Sequence, residues 1–195
     1  LQADVSNSQD TKDYISQTIA KWGKIDVLFS NAGFSGTSAP ITDYPEDVFD
    51  KVMAINVRGS FLACKYALPK INNGGNILIT SSIMGVTARP GSIAYITSKH
   101  ALIGLMRGIS KEAAPRNVRV NVLAPGPVDN TFQLEIEERA SKASGTNVTE
   151  MLNNWIALGR HATPEEIANM AYFLMSDKSS FSTGGVFMAD GGMHV

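Results

Sequence analysis

The sequence has little of several features that would direct a protein to the cell exterior, a membrane or a nucleic acid. Its one cysteine, Cys64, excludes an internal disulfide and a multi-cysteine zinc site, so we expect a reducing, cytoplasmic setting. No apolar run approaches the roughly 20 residues that span a bilayer, and the first residues lack the basic start and apolar stretch of a signal peptide. The 17 basic and 18 acidic residues give a net charge of -1, which leaves no cationic excess for binding phosphates. These deficits favour a small-molecule partner over a nucleic acid or a membrane.

What is present indicates one packed domain over residues 1–195. Hydrophobic residues make up 44% of the chain and charged residues 18%, a composition typical of a globular core. An initiator methionine is also missing, because the sequence begins at Leu1 and runs directly into a strand-like segment. We therefore expect it to be N-terminally incomplete.

Short runs rich in valine and isoleucine alternate with longer segments of helical periodicity, which is typical of a parallel sheet covered by helices on both faces. The sequence therefore predicts an α/β fold of the doubly wound, Rossmann-like kind. Strands are expected at 1–5, 27–30, 76–81, 119–124 and Val186–Ala189, and helices near 9–22, 45–71, 95–114 and 164–176. The stretch 131–158 combines an acidic run with an amphipathic piece, and we expect it to be a helical insertion over a substrate cleft.

The pattern with the clearest chemistry is Tyr95 followed four residues later by Lys99 on a predicted helix. Side chains at this spacing share a helix face. Because a free tyrosine titrates near pH ~10, a nearby ammonium that favours the phenolate would make it a better proton shuttle. We predict that Lys99 lowers the pKa of Tyr95.

Ser82 follows an apolar strand, at the strand end that lines the usual ligand crevice of open α/β sheets. Its hydroxyl could hold a carbonyl oxygen. Ser81 could take the same role, and either serine could instead finish the strand or cap a turn. We favour Ser82.

Six short segments appear in a characteristic order along nearly the whole chain. They are Asn31-Ala32-Gly33, Ile55-Asn56-Val57, 82–85, 95–99, 120–126 and Asp190-Gly191-Gly192. In this order and spacing the chain resembles the short-chain dehydrogenase/reductase superfamily.

The resemblance implies hydride transfer between a carbonyl or alcohol and NAD or NADP. Tyr95 would be the general acid or base, Ser82 would hydrogen-bond the substrate oxygen, and Lys99 would bind the nicotinamide ribose. Asn56 would hold a water that connects Lys99 to a proton relay. No metal is implied. A Tyr–Lys spacing of four also favours ketone over alkene reduction, because the superfamily's enoyl reductases space this pair more widely.

Further site residues are carried over from the resemblance. The cofactor would contact Tyr95 and Lys99 as well as Asp4, Val5, Asn31, Ala32, Gly33, Pro125, Gly126, Val128 and Thr131. The substrate would contact Ser82, Met84, Ser92 and Phe132. For several of these residues a plainer role is open: Asp4 could cap a surface helix, Asn31 could support the sheet and Met84 could be core.

The superfamily's Gly-rich phosphate-binding turn, and the residue that selects NAD or NADP, are missing from the sequence. Their absence is expected to leave a gap in the sheet, because the first βαβ unit would lie between two of the predicted strands. A catalytically silent scaffold or regulatory subunit is therefore the alternative interpretation. By resemblance we also expect a homodimer or homotetramer.

Overall fold

The computed structural model contains one parallel four-stranded sheet, in the order β1-β2-β3-β4. It describes residues 1–195 apart from the side chain of residue 143. The strands are β1 Ile25–Ser30, β2 Ile71–Thr80, β3 Arg119–Pro125 and β4 Val186–Ala189. Because every neighbouring pair is parallel, the carboxyl ends of the strands lie at one edge of the sheet.

Seven α-helices of the described chain precede or connect these strands. They are α1 Ser8–Trp22, α2 Glu46–Val52, α3 Gly59–Ala67, α4 Ile93–Ala113, α5 Thr131–Ser144, α6 Val148–Trp155 and α7 Pro164–Met175. Four of them, α1, α5, α6 and α7, begin at a side-chain cap. The Asn7 side chain caps α1, and Gly23 ends it at φ 73°, a left-handed value that favours glycine. A reciprocal capping box between Thr163 and Glu166 begins α7.

Apolar side chains alternate along the two central strands, so each face of the sheet packs against different helices. One face joins α1, α3 and α4 through Ile77, Ile79, Val120 and Val122. The other face joins α7 through Leu78 and Leu123. The predicted α/β fold, a parallel sheet with helices on both faces, is confirmed.

The strand predicted over residues 1–5 is wrong, because this segment is irregular and ends in a turn. No strand of the described chain lies beside it, so its backbone has no ladder in which to pair. The expected gap between two strands is therefore an open edge at β1. There the Val27 and Phe29 side chains are each 42% exposed.

The single helix predicted over 45–71 is also wrong. A π-helical segment, Met53–Arg58, separates α2 from α3, and a 3-10 turn at Leu68–Lys70 follows. The strand predicted over 76–81 starts earlier, because Ile71 pairs with Ile25 across an irregularity in the register. Ser81 lies just past the end of β2.

Candidate active site

The four predicted catalytic residues, which we call the tetrad, come together at the carboxyl edge of the sheet: Asn56, Ser82, Tyr95 and Lys99. Ser82 lies two residues past the end of β2, and Tyr95 and Lys99 lie in the first two turns of α4. The Lys99 Nζ atom lies 5.4 Å from the centroid of the Tyr95 ring. Asn56 joins the group from the π-helical segment, since its Nδ2 donates to the Ser98 hydroxyl at 2.9 Å.

Lys99 is buried, with 3% of its surface exposed, and its Nζ donates to the Thr80 carbonyl at 2.9 Å. Burial penalises the ammonium form and lowers the pKa of Lys99 to about 8. The described residues offer Nζ this one hydrogen bond, so two of its three N–H groups are free for a ligand.

Tyr95 differs from the sequence-based expectation. Burial raises the pKa of its phenol, while a hydrogen bond with Ser82 and the charge of Arg89 act in the opposite direction. Lys99 is not among the groups that shift this pKa. For the chain by itself, the prediction that Lys99 lowers the pKa of Tyr95 was therefore wrong: burial decides the direction.

The two neighbouring serines have different surroundings. The Ser81 hydroxyl is buried and donates to the Lys99 carbonyl at 2.9 Å, which fixes α4 against the end of β2. The Ser82 hydroxyl accepts from the Met84 backbone N–H at 3.1 Å, capping a 3-10 turn, and the side chain also lies near the Tyr95 phenol, whose pKa it lowers. Ser82 thus caps a turn and also faces the phenol.

Asn56 is fully buried and anchors the loop after β1. Its Oδ1 accepts from the Phe34 N–H at 2.8 Å, and its Nδ2 donates to the Phe34 carbonyl at 3.0 Å and to Ser98. Both amide hydrogens are used by these bonds. The side chain therefore holds protein groups, in a π-helical turn of the kind often found at functional sites. That Asn56 holds a water of a proton relay stays a prediction.

Three of the residues predicted at one end of the cofactor site, Val5, Asn31 and Ala32, line a cleft of about 240 Å³. Asn31 accepts from the Thr80 hydroxyl at 2.8 Å. The backbone of Gly33 passes so close to the tetrad that an added Cβ would lie 3.6 Å from Lys99 Nζ. Asp4 is exposed and bonds Ser6, which lowers its pKa.

The residues predicted at the other end follow β3. Gly126 packs so closely on Asp190 that an added Cβ would lie 2.9 Å from the Asp190 Cα, and its N–H donates to Ala189. Pro125 ends β3, and Val128 forms a parallel bridge with Ala162. Thr131 begins α5 behind the cap Asn130.

The three predicted substrate residues that are not in the tetrad lie on three different segments of the chain. Met84 lies in the 3-10 turn after Ser82, Ser92 precedes α4, and Phe132 lies in the first turn of α5. Met84 and Ser92 are half-buried, and Phe132 is 42% exposed.

Sequence reasoning missed two histidine–carboxylate pairs. His161 contacts the buried Glu137 at 2.6 Å, and His194 contacts Asp190 at 2.6 Å. Because Glu137 and His161 are far apart in sequence and share no motif, no pattern signalled their contact. Cys64 is buried, and burial raises its pKa to about 12, so its thiol is not activated as a nucleophile.

The described residues form neither a membrane-spanning helix nor a cluster of metal-ligating side chains. None of the helices is both long and apolar enough to cross a bilayer. Among the same residues, no group of three or more His, Cys, Asp or Glu side chains is placed to hold a metal ion.

Comparison with known proteins gives matches along almost the full chain. Residues 1–194 match a family model described as Enoyl-(Acyl carrier protein) reductase. An uncharacterized oxidoreductase YxbG of Bacillus subtilis strain 168 is 36% identical over 97% of this chain and 70% of its own length. The 3-oxoacyl-[acyl-carrier-protein] reductase FabG of Thermotoga maritima is 33% identical over 98% of this chain and 75% of its own.

Solved structures give the same result. A levodione reductase superposes with a TM-score of 0.94 at 29% identity, covering 98% of this chain and 75% of that protein. ElxO with NADP bound superposes with a TM-score of 0.88 at 32% identity, covering 99% and 77%. Together with the ordered motifs, these matches show that the chain belongs to the short-chain dehydrogenase/reductase superfamily of oxidoreductases.

Proposed function

We propose that this protein interconverts a ketone or aldehyde and a secondary alcohol by hydride transfer, using NAD or NADP. The observation that carries the proposal is the arrangement of Ser82, Tyr95 and Lys99: the Ser82 side chain neighbours the Tyr95 phenol, and the buried Lys99 ammonium lies 5.4 Å from the centroid of the Tyr95 ring. Relatives of this chain include proteins named for carbonyl reduction and for alcohol dehydrogenation.

The nicotinamide dinucleotide supplies the hydride, or accepts it, when bound. The residues present fit such a group, since the cleft at the end of β1 is lined by Val5 and Ala32 and the backbone of Gly33 lies near Lys99. We assign the adenosine half to Asp4, Val5 and Asn31-Ala32-Gly33. The nicotinamide half is assigned to Tyr95, Lys99, Pro125, Gly126, Val128 and Thr131. Solved relatives described as containing NADP or NADPH support this assignment.

Proton transfer in the proposed mechanism is the task of Tyr95. Because burial raises the pKa of its phenol, Tyr95 is protonated at neutral pH, which is the form that donates to a carbonyl oxygen during reduction. Ser82 holds the same oxygen through its hydroxyl. Lys99 uses its free N–H groups on the ribose, and Asn56 fixes the loop that carries Asn31-Ala32-Gly33.

Of the residues proposed to contact the substrate besides Ser82, two are apolar, Met84 and Phe132, and one is polar, Ser92. This composition favours a carbonyl flanked by carbon groups. We further propose that the protein acts in the cytoplasm as a homodimer or homotetramer, and that the α5 and α6 region over 131–158 forms the substrate loop.

The test uses protein expressed from its complete coding sequence. Absorbance of the reduced nicotinamide is followed with NADH and with NADPH against a panel of ketones, secondary alcohols and one enoyl thioester. Tyr95→Phe should lower kcat by about 100-fold or more while the dinucleotide Kd stays within about threefold. The control is Tyr172→Phe, an exposed phenol on α7.

Two results would contradict the proposal. Near-parental turnover by Tyr95→Phe would remove Tyr95 from the mechanism. A parent protein inert with both dinucleotides and the whole panel would favour the silent scaffold, and turnover of the enoyl thioester alone would favour alkene reduction.

A further inference from the structure

Glu137 is an unusual residue at the centre of α5. Its side chain is buried, with 3% of the residue exposed, whereas every other described side chain of α5 is at least partly exposed. A buried carboxylate is costly unless it is paired and hydrogen-bonded. Its partners therefore show what holds this helix in place.

Glu137 has partners on both sides of the turn between α5 and α6. Its Oε1 accepts from Gln133 Nε2 at 2.7 Å and contacts His161 Nε2 at 2.6 Å, and its Oε2 accepts from the Thr149 hydroxyl. His161 Nδ1 also lies 2.7 Å from Asn153 Oδ1. These five residues, Gln133, Glu137, Thr149, Asn153 and His161, form what we call the polar latch.

The polar latch is joined to the segment that enters α5. Ala162, next to His161, donates its N–H to the Pro127 carbonyl at 3.0 Å and accepts from the Asp129 N–H at 2.8 Å. These bonds accompany the parallel bridge between Val128 and Ala162. The latch thus closes a ring of contacts from Pro127 along α5 and α6 and back to Ala162.

A second contact carries α5 across the carboxyl edge of the sheet. Arg139 Nη2 donates to the Ser35 hydroxyl at 3.4 Å, in the loop that follows β1. The helix therefore reaches from the segment after β3 to the loop after β1. Ser82, which follows the intervening strand β2, and Tyr95 lie at the same carboxyl edge of the sheet. The orientation of α5 also sets the position of Thr131 and Phe132 in its first turn.

The attachment of α5 is polar. Neither apolar core cluster of the described residues includes a member of α5, and the one buried described side chain of that helix is Glu137, whereas α6 also buries Val148 and Leu152. Loss of the latch should free α5 while the sheet and its core helices stay folded, because removing one partner of a buried hydrogen-bonded pair leaves the other polar group unpaired at that site.

We propose that Glu137 and His161 are positioning residues that hold the α5–α6 pair across the active site and thereby place Thr131 and Phe132 for binding. The kinetic part of this proposal rests on the proposed function. The structural part, a helix pair held by the polar latch, does not.

Glu137→Gln and His161→Gln are compared with Glu138→Gln, which removes an exposed carboxylate from the same helix. For both latch variants, KM for carbonyl substrate and dinucleotide should rise about tenfold or more, with kcat within about threefold, the pattern of lost uniform binding. The double variant should be no worse than either single variant, because both remove the same interaction. Glu138→Gln should match the parent.

Limited trypsin digestion, followed by mass spectrometry, tests the structural part. Cleavage after Arg139 and Lys142 should be faster in both latch variants, while the thermal unfolding midpoint stays close to that of the parent. Parental KM and parental cleavage rates would overturn the proposal. So would a rise in KM with an equivalent loss of global stability, which would indicate a merely structural pair. If the parent turns over nothing, the proposed function fails and the cleavage rates alone decide the latch.

Discussion

Lys99 is a buried ammonium group, and its pKa links the stability of the protein to pH. Burial lowers the pKa of Lys99 from 10.5 in its ordinary state to about 8. Between these two values the unfolded chain binds more protons than the folded protein, so stability rises with pH across this window. Below pH 8 the penalty for the buried charge is present in full.

Lys99→Met should therefore stabilise the protein at pH 7 while abolishing turnover. Removing the buried charge recovers about 3 kcal/mol for a shift of this size, offset by about 1 kcal/mol because the Thr80 carbonyl loses its donor. Urea unfolding at pH 7 and pH 10 should show a gain at pH 7 that shrinks or reverses at pH 10. Lys111→Met, at an exposed site on the same helix, is the control. An equal change at both pH values would contradict this explanation.

At the scale of single residues, the sequence predicted which side chains form the site better than it predicted their pKa values. Tyr95 and Lys99 could be found because a four-residue spacing on a helix is local information. The direction in which the pKa of Tyr95 shifts could not be predicted. It depends on how far the surrounding protein excludes water and on the position of Arg89, and the fold determines both. The contact between Glu137 and His161 could not be predicted either, because the fold brings together two residues that are distant in sequence.

At the scale of elements, the π-helical segment Met53–Arg58 is a feature that hydrophobic periodicity does not predict. The apolar residues Val48, Val52, Ile55 and Leu62 predict one continuous helix, because a single wide turn changes their spacing too little to be noticed. That turn carries Asn56, whose side chain bonds both backbone groups of Phe34. The irregular element thus joins the helix to the loop after β1.

Asn56→Ala should loosen that loop. The change leaves the N–H and the carbonyl of Phe34 without partners, and it should lower the free energy of unfolding by about 2 kcal/mol. Faster hydrogen exchange at the Phe34 amide and weaker dinucleotide binding should follow, because Asn31-Ala32-Gly33 precede this anchor. Asn154→Ala, at an exposed position on α6, serves as the control. Unchanged exchange at Phe34 would show that the loop is held by other contacts.

For the whole molecule, the alternation of strands and helices was enough to predict the layers but not every strand. Ile77 and Leu78 point to opposite faces, and each face has its own helices, as the pattern indicated. The segment at residues 1–5 has a strand-like composition, yet a strand exists only where a neighbour accepts its hydrogen bonds. The composition of a segment indicates that it could form a strand, but not whether a neighbouring strand is present to pair with it.

The outer surface of the helix layer provides the last test. Phe61 on α3 is 45% exposed, and on α4 the Cβ positions of Gly104 and Gly108 would meet no atom within 4 Å. An exposed aromatic ring on α3 and two open glycine positions on α4 suit close packing against the same surface of a second copy, the geometry of a two-fold interface.

Phe61→Glu should therefore weaken self-association, because the interface would bury an unpaired carboxylate in place of an apolar ring. Sedimentation at micromolar concentration should give a dimer or tetramer for the parent and a lower mass for Phe61→Glu. The control is Trp22→Glu, another exposed aromatic, at the end of α1. A monomeric parent, or a variant that keeps the parental mass, would show that this face is not the interface. Since the tetrad residues and the polar latch lie within one chain, a monomeric Phe61→Glu variant should keep its chemical step, with kcat within about threefold of the parent.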